Sequence, residues 1–241
     1  MSIAAAPASA AVAPETELLL QQICDSVFPI GAYSHSYGLE TYVQLERVHD
    51  EASARAFLEG QIRYPLTYTE LLGMRLGYEA ARSNDLAALA SLEAELAAVK
   101  TPRETRSASE KLAARFIRTT EGLGVLGEEE AAFFRSYAAR RPSHAVNVTY
   151  GVFAALVGID LVHLLRRYLY AQVSALTVTC VKAVPLSQTA GQRLIAGAVP
   201  LELEAVEHAL AAGREMLGLS CPGFDVRCIE HESLYSRLYM S

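Results

Sequence analysis

The segment His144–Ala183, HAVNVTYGVFAALVGIDLVHLLRRYLYAQVSALTVTCVKA, decides the fold class. It predicts two helices, residues 144–157 and 160–183, that are apolar on nearly all sides. A helix of that kind buries its whole circumference, so we expect this pair at the centre of the molecule. The β-branched residues 177–184 would also suit a strand, but no partner strand is evident in the sequence.

The same apolar segment raises the question of a membrane span, since the mean hydropathy of the chain is +0.18. Residues 142–159 contain no Asp, Glu, Lys or Arg, yet several polar residues interrupt them. Residues 168–181 are interrupted in the same way. Both apolar stretches are therefore too short to cross a bilayer, and we expect no membrane partner.

Helical periodicity continues on both sides of this pair. Asp50 and Asp85 each precede a helical run and are good N-caps. We expect Pro65 to end the first of these runs, because proline disrupts a helix interior. We expect proline to interrupt the chain at further points, namely Pro102, Pro185, Pro200 and Pro222.

The sequence therefore predicts an all-α fold, a single-domain helical bundle of about ten helices. Residues 1–17 contain no Lys or Arg, so they have no basic region of a secretory signal. Because their first 14 residues are rich in Ala and Pro, we interpret 1–17 as a disordered tail and 18–241 as the folded domain.

Charge and cysteine content exclude two classes of protein. Lys and Arg number 21 against 27 Asp and Glu, which gives a net charge of −6. That balance argues against a nucleic-acid partner, since such proteins usually carry a basic surface. Four cysteines in 241 residues do not make a disulfide scaffold, and they indicate a reducing compartment, which we take to be the cytoplasm.

Two patterns invite a chemical reading, and neither is complete. Ser34-His35-Ser36 has the residue types of a hydrolase, but adjacent side chains rarely reach the geometry for serine activation. Cys221, Cys228 and His231 have metal-ligand chemistry, but a structural zinc site needs four ligands and no fourth is nearby in sequence. We therefore predict no catalytic residue and no metal site.

Two other segments are unusual in composition. Residues 25–40 mix turn formers, aromatic residues and polar groups between two predicted helices. The C-terminus, residues 231–241, is more apolar than chain ends usually are, and Arg237 lies within it. It is either a last helix packed on its own core or part of a segment, residues 225–241, that becomes ordered on a partner.

The chain also resembles a known family, the UreF urease accessory proteins, from about Leu18 to Ser241. The segments that carry the resemblance include DSVFPIGAYSHSYGLETYVQ at 25–44, TPRETRSASEKLAARFI at 101–117 and HESLYSRLYMS at 231–241. The first and last are long and unusual enough to make chance agreement implausible.

The resemblance implies an all-α homodimer with a non-enzymatic role in urease maturation. In that family UreF binds UreD, also called UreH, and the pair recruits the GTPase UreG for GTP-dependent delivery of nickel to apo-urease. The chain itself would bind no cofactor tightly, and nickel and GTP would act through the partner complex. It has no GxxxxGK[ST] phosphate loop of its own.

The same resemblance implies which residues meet the partners. Tyr33 and Arg237 match family residues implicated in UreG recruitment. The C-terminal segment would form the interface with UreD/UreH and UreG through His231, Leu234, Tyr235, Leu238, Tyr239 and Met240. The motif of the first segment comprises Phe28, Pro29, Gly31, His35, Ser36, Gly38 and Glu40. The alternative is a metallochaperone that itself binds nickel tightly, with His35, Cys228 and His231 as ligands.

Overall fold

A computed structural model describes residues 13–31, 35–140 and 143–239 of the chain. Across these ranges the chain forms helices and no strand, so the all-α prediction is confirmed. The α-helices are α1 Pro14–Ile23, α2 Leu39–Gln44, α3 Glu51–Gln61, α4 Leu72–Arg82, α5 Leu86–Val99, α6 Arg103–Glu121, α7 Glu128–Ala138, α8 Val146–Leu156, α9 Leu161–Ala183, α10 Gln188–Ala211 and α11 Pro222–His231. A π-helical segment, Ile62–Leu71, joins α3 to α4, and a short 3₁₀ turn, Arg214–Met216, precedes α11.

Helix α8 lies at the centre, as its composition predicts. Every residue from Val146 to Ala155 is buried. Its closest neighbour is α4, because Gly151 has no side chain to hold the two backbones apart. A Cβ atom on Gly151 would lie 2.2 Å from the carbonyl oxygen of Met74. This crossing fixes the core around which the other helices pack.

The segment 177–184, for which a strand was the alternative, is helical as far as Ala183. It forms the end of α9, the 23-residue helix that packs against α8 and α10. Leu164, Leu169 and Val173 are fully buried on its inner face. The apolar helical pattern therefore outweighs the β-branched residues, as burial against neighbouring helices usually does.

Two of the proline predictions are wrong. Pro65 does not end a helix, because it lies inside the π-helical segment, whose wider turn accommodates the proline ring. The Thr67 hydroxyl donates to the Ile62 carbonyl, 2.5 Å away, and so supplies a hydrogen bond inside this turn. Pro200 lies inside α10, which continues because residues on both sides, among them Leu194 and Val206, are buried in the core.

The predicted N-caps are confirmed at both positions. The Asp50 side chain accepts from the backbone N–H of Ser53, and the Asp85 side chain accepts from that of Ala88. The boundary of the N-terminal tail needs correction. Residues 14–17 belong to α1, because Pro14 suits a first helical position and two glutamates complement the helix dipole there. Residues 1–12 lie outside the described residues.

A buried polar network joins α5, α7 and the start of α8. The Tyr137 hydroxyl lies 2.5 Å from Oε1 of Glu93 and 3.0 Å from the Thr149 hydroxyl. The Nδ1 atom of His144 lies 3.1 Å from Oε2 of the same glutamate. Burial and the Glu93 carboxylate raise the pKa of Tyr137 well above its ordinary value, so the phenol keeps its proton and donates.

Within the described ranges, no helix is both long enough and apolar enough to cross a membrane.

Candidate functional site

The C-terminal segment lies against the helices that flank the first unusual segment. Residues 232–239, here called the tail, leave α11 and pass over α2 and the start of α6. Helix α11 is itself docked on α2, since the Thr41 hydroxyl donates to the Arg227 carbonyl at 2.9 Å. A Cβ atom on Gly38 would lie 3.1 Å from the backbone nitrogen and from Sγ of Cys228, so the glycine permits this close approach.

His231, the last residue of α11, is fully buried between two carboxylates. Its Nε2 atom lies 2.9 Å from Oε2 of Glu40, and its Nδ1 atom lies 3.0 Å from Oε2 of Glu104. We call Glu40, Glu104 and His231 the anchor cluster. Each ring nitrogen of His231 therefore has a carboxylate partner of its own.

Glu40 also holds the tail backbone. Its Oε1 atom accepts from the N–H of Leu238 at 2.7 Å, and its Oε2 atom accepts from the N–H of Tyr239 at 3.1 Å. The Gln44 side chain donates to the Ser236 carbonyl at 3.2 Å. The tail is therefore fastened mainly through its backbone, which leaves its side chains available for other contacts.

Arg237 joins the anchor cluster from the tail. Its Nη1 atom lies 2.8 Å from Oε1 of Glu104. Partial burial alone would raise the pKa of Glu104, but hydrogen bonds and charges from His231 and Arg237 outweigh it and hold that pKa below its usual range. A second ion pair, Arg103 with Glu232 at 2.7 Å, lies on the same side of α6.

Two apolar side chains of the tail point into solvent. Tyr235 is 105% exposed and Leu238 is 79% exposed, whereas Leu234 and Tyr239 are half-buried. Large apolar side chains that are exposed on a hydrogen-bonded backbone are typical of interface anchors. The arrangement offers a surface for protein recognition.

A large cleft adjoins the tail. It has a volume of about 650 Å³, lies between α1 and α9, and has Leu238 and Tyr239 on its rim. Along α9, Tyr170 and Val178 are close to half exposed on this side. The cleft thus extends the apolar surface of the tail onto the body of the molecule.

The structure brings only part of the predicted first motif into this site. Glu40 is in the anchor cluster, and Gly38 permits the close approach of α11 to α2. Phe28 packs in the core against Phe116, with ring centroids 5.8 Å apart, and Pro29 is exposed. Gly31 has a positive φ of 84°, and His35 and Ser36 are buried. Tyr33, Ser34 and Met240 lie outside the described residues.

The alternative chemical readings find little support in this geometry. Both ring nitrogens of His231 contact carboxylates, so its metal-ligand atoms are engaged. Among the residues that the structure describes, no three His, Cys, Asp or Glu side chains form a group that could hold a metal ion. The Ser36 hydroxyl is buried, which removes it from any substrate in solution.

Sequence reasoning missed Glu104, Arg103 and Gln44. Glu104 lies in a segment that carries the family resemblance, but no local pattern sets it apart from other first-turn glutamates. It lies 127 positions from His231, and only the fold brings the two together.

Comparison with known proteins identifies a family and a close relative of known name. A family model described as UreF matches residues 48–199. The protein named urease accessory protein UreF from Arthrobacter sp. (strain FB24) is 36% identical to this chain over 233 residues. That alignment covers 96% of this chain and 100% of the Arthrobacter protein.

Proposed function

The chain belongs to the UreF family of urease accessory proteins, and we propose that within urease maturation it acts as a docking scaffold. It binds UreD/UreH, and the pair recruits the GTPase UreG for delivery of nickel to apo-urease. One observation carries this proposal. The anchor cluster holds the tail by its backbone and leaves Tyr235 and Leu238 exposed. A scaffold needs such a preformed surface, because ordering a flexible segment opposes binding.

The tail is the part of this scaffold that we assign to the two protein partners. Arg237 and Tyr33 contribute to UreG recruitment, and the apolar tail residues contribute to both interfaces. That a partner orders residues 225–241 stays a prediction. In the chain alone, α11 and the tail already pack on α2 and α6 through the contacts described above.

A homodimer is the second part of the proposal. The cleft between α1 and α9 and the partly exposed Tyr170 and Val178 offer an apolar face for a second copy. Dimers of this kind usually bury an apolar patch that is self-complementary. The dimer then presents two tails to the partners.

Nickel and GTP act through the partner complex in this proposal. The best ligand atoms of the C-terminal segment, the His231 ring nitrogens, are occupied by Glu40 and Glu104. The chain has no phosphate loop for GTP. Its role is therefore non-enzymatic. We place it in the cytoplasm, where a reducing environment suits a chain of 241 residues with only four cysteines.

Size-exclusion chromatography with light scattering tests the scaffold. We expect a dimer of the chain alone, a larger complex with UreD/UreH, and a three-protein complex when UreG and a GTP analogue are added. The Tyr235→Ala/Leu238→Ala double variant should lose the last step while keeping its helical circular dichroism. The matched control is Val125→Ala, which changes an exposed apolar residue away from the tail.

Two outcomes would overturn the proposal. The first is a wild-type chain that binds neither partner when both partners are verified as active. The second is a double variant that assembles as well as wild type, because the tail would then not be the docking surface. Stoichiometric, submicromolar nickel binding by the isolated chain would favour the metallochaperone instead.

A further inference from the structure

Helix α6 carries a row of positively charged side chains beside the tail. Arg103, Ser107, Lys111 and Arg115 are spaced four residues apart, so they lie on one face of the helix. The three cationic residues are exposed. At 1.5 Å per residue the row from Arg103 to Arg115 is about 18 Å long. We call this row the basic ridge.

The basic ridge forms one wall of a cleft of about 280 Å³, and His35 lies on the other side. Among the described residues that line the cleft, Glu104 is the only acid. Its carboxylate is already engaged by His231 and Arg237. The cleft is therefore cationic, although the chain as a whole has a net charge of −6.

The three cations of the basic ridge differ in their hydrogen bonds and ion pairs within the chain. Arg103 pairs with Glu232, and Nη1 of Arg115 donates to the Ile30 carbonyl at 3.0 Å. Lys111 makes no hydrogen bond or ion pair with any residue that the structure describes. A cation that lacks an internal partner and faces a cleft is available to an external anion.

We propose that the cleft beside the basic ridge receives Asp or Glu side chains from an acidic segment of the GTPase. The inference rests on the proposed function, because it takes the protein that docks on the tail as the partner. Glu104 joins the two surfaces, since it lines the cleft and also holds Arg237. One partner can therefore cover the exposed Leu238 and reach Lys111 at the same time.

The shape of the ridge favours an acidic polypeptide over a compact phosphate. Phosphate sites usually use backbone N–H groups at a helix N-terminus, whereas Lys111 and Arg115 lie in the middle of α6. A row about 18 Å long matches carboxylates spread along an extended or helical segment. The net negative charge of the chain argues against an extended nucleic acid, and the apolar tail alongside suits a protein.

The test measures the affinity of the UreD/UreH complex of this chain for UreG bound to a GTP analogue, at low and at high salt. We expect Lys111→Glu to weaken UreG binding by about tenfold and to flatten its salt dependence. Ser107→Glu should do the same, because the new carboxylate would pair with Arg103 and Lys111 and neutralise the ridge. Affinity for UreD/UreH should stay unchanged in both variants.

The matched control is Arg135→Glu, which makes the same change in net charge as Lys111→Glu but on an exposed position of α7. It should bind UreG as wild type does. Wild-type affinity in both ridge variants, or equal weakening by the control, would overturn the inference and leave the scaffold intact. Displacement of UreG by inorganic phosphate but not by chloride at equal ionic strength would overturn the carboxylate assignment. A wild-type complex that binds no UreG would overturn the proposed function itself.

Discussion

The Nε2 atom of His231 lies 2.9 Å from Oε2 of Glu40, and 191 positions separate the two residues in the chain. This contact joins the end of α11 to the start of α2. The same carboxylate accepts from the backbone of the tail at Leu238 and Tyr239. One glutamate therefore contacts both the end of α11 and the backbone of the docking surface.

We expect Glu40→Ala to release the tail. The change leaves the buried imidazole of His231 with one carboxylate and removes the acceptor for two backbone N–H groups. Breaking a buried ion pair costs roughly 3–5 kcal/mol, and the remaining contact with Glu104 should keep the loss near 3. Denaturant unfolding measures that loss, and hydrogen exchange should show faster exchange at Leu238 and Tyr239.

Glu59→Ala is the control for this prediction, because Glu59 is an exposed carboxylate on α3. It should change neither the stability nor the exchange of the tail. Unchanged protection of the tail amides in Glu40→Ala would contradict the anchor role that we assign to the carboxylate.

The centre of the fold could be predicted from sequence because its signal is local. Burial of α8 follows from an apolar composition on all sides, and the caps at Asp50 and Asp85 follow from side-chain chemistry within one turn. The wrong predictions at Pro65 and Pro200 have different causes. A π-helical turn accommodates Pro65, whereas burial of the residues around Pro200 holds α10 together.

The candidate site could be predicted only in part. The apolar tail and Arg237 are visible in sequence, because a chain end with this composition is unusual. The pairing of His231 with Glu40 and Glu104 has no local signal, since those separations are 191 and 127 positions. The basic ridge has a local signal, a spacing of four residues, but its position beside the tail depends on the fold.

Arg237→Ala should weaken UreG recruitment more than UreD/UreH binding. Its pair with Glu104 is partly exposed, so the change should cost less than about 1 kcal/mol of stability. Any large loss of binding would therefore report a direct contact with the partner. Arg193→Ala, which breaks an exposed pair with Glu51 elsewhere, is the matched control. Pull-down with each partner separates the two effects.

Tyr33→Ala should give the same selectivity as Arg237→Ala, because the family resemblance assigns both residues to UreG recruitment. The measurement is again binding to each partner in turn, with circular dichroism to verify the fold. If Tyr33→Ala loses UreD/UreH and UreG equally, the tyrosine belongs to the first interface or to the fold, and its assigned role is wrong.

Glu202 should make stability depend on pH near neutrality. Burial raises its pKa from 4.5 to about 7, and its Oε1 atom has no hydrogen-bond partner among the described residues. At a pH between these two pKa values, the Glu202 carboxyl keeps its proton in the folded chain and has released it in the unfolded chain. The free energy of unfolding therefore falls as pH rises. Glu202→Gln removes this dependence. We therefore expect its melting temperature, relative to that of wild type, to rise by roughly 5–10 °C between about pH 5 and about pH 8.

The control for this dependence is Glu207→Gln on the same helix, where the carboxylate is exposed. Its melting temperature should follow the wild-type curve at every pH. A difference between Glu202→Gln and wild type that stays constant with pH would mean that Glu202 is ionised in the folded chain.

Gly151→Ala should disrupt the crossing of α4 and α8. The added Cβ would lie 2.2 Å from the Met74 carbonyl oxygen and 3.0 Å from the Tyr78 nitrogen, and both are backbone atoms that cannot rotate away. Relief requires the two central helices to separate, so we expect a loss of about 3 kcal/mol or more. Thermal unfolding followed by circular dichroism should show a melting temperature roughly 6–12 °C lower.

Gly223→Ala in α11, where the nearest atom to a Cβ is 3.7 Å away, should be neutral or slightly stabilising. Equal melting temperatures for the two variants would mean that α4 and α8 do not cross as closely as the core described above requires.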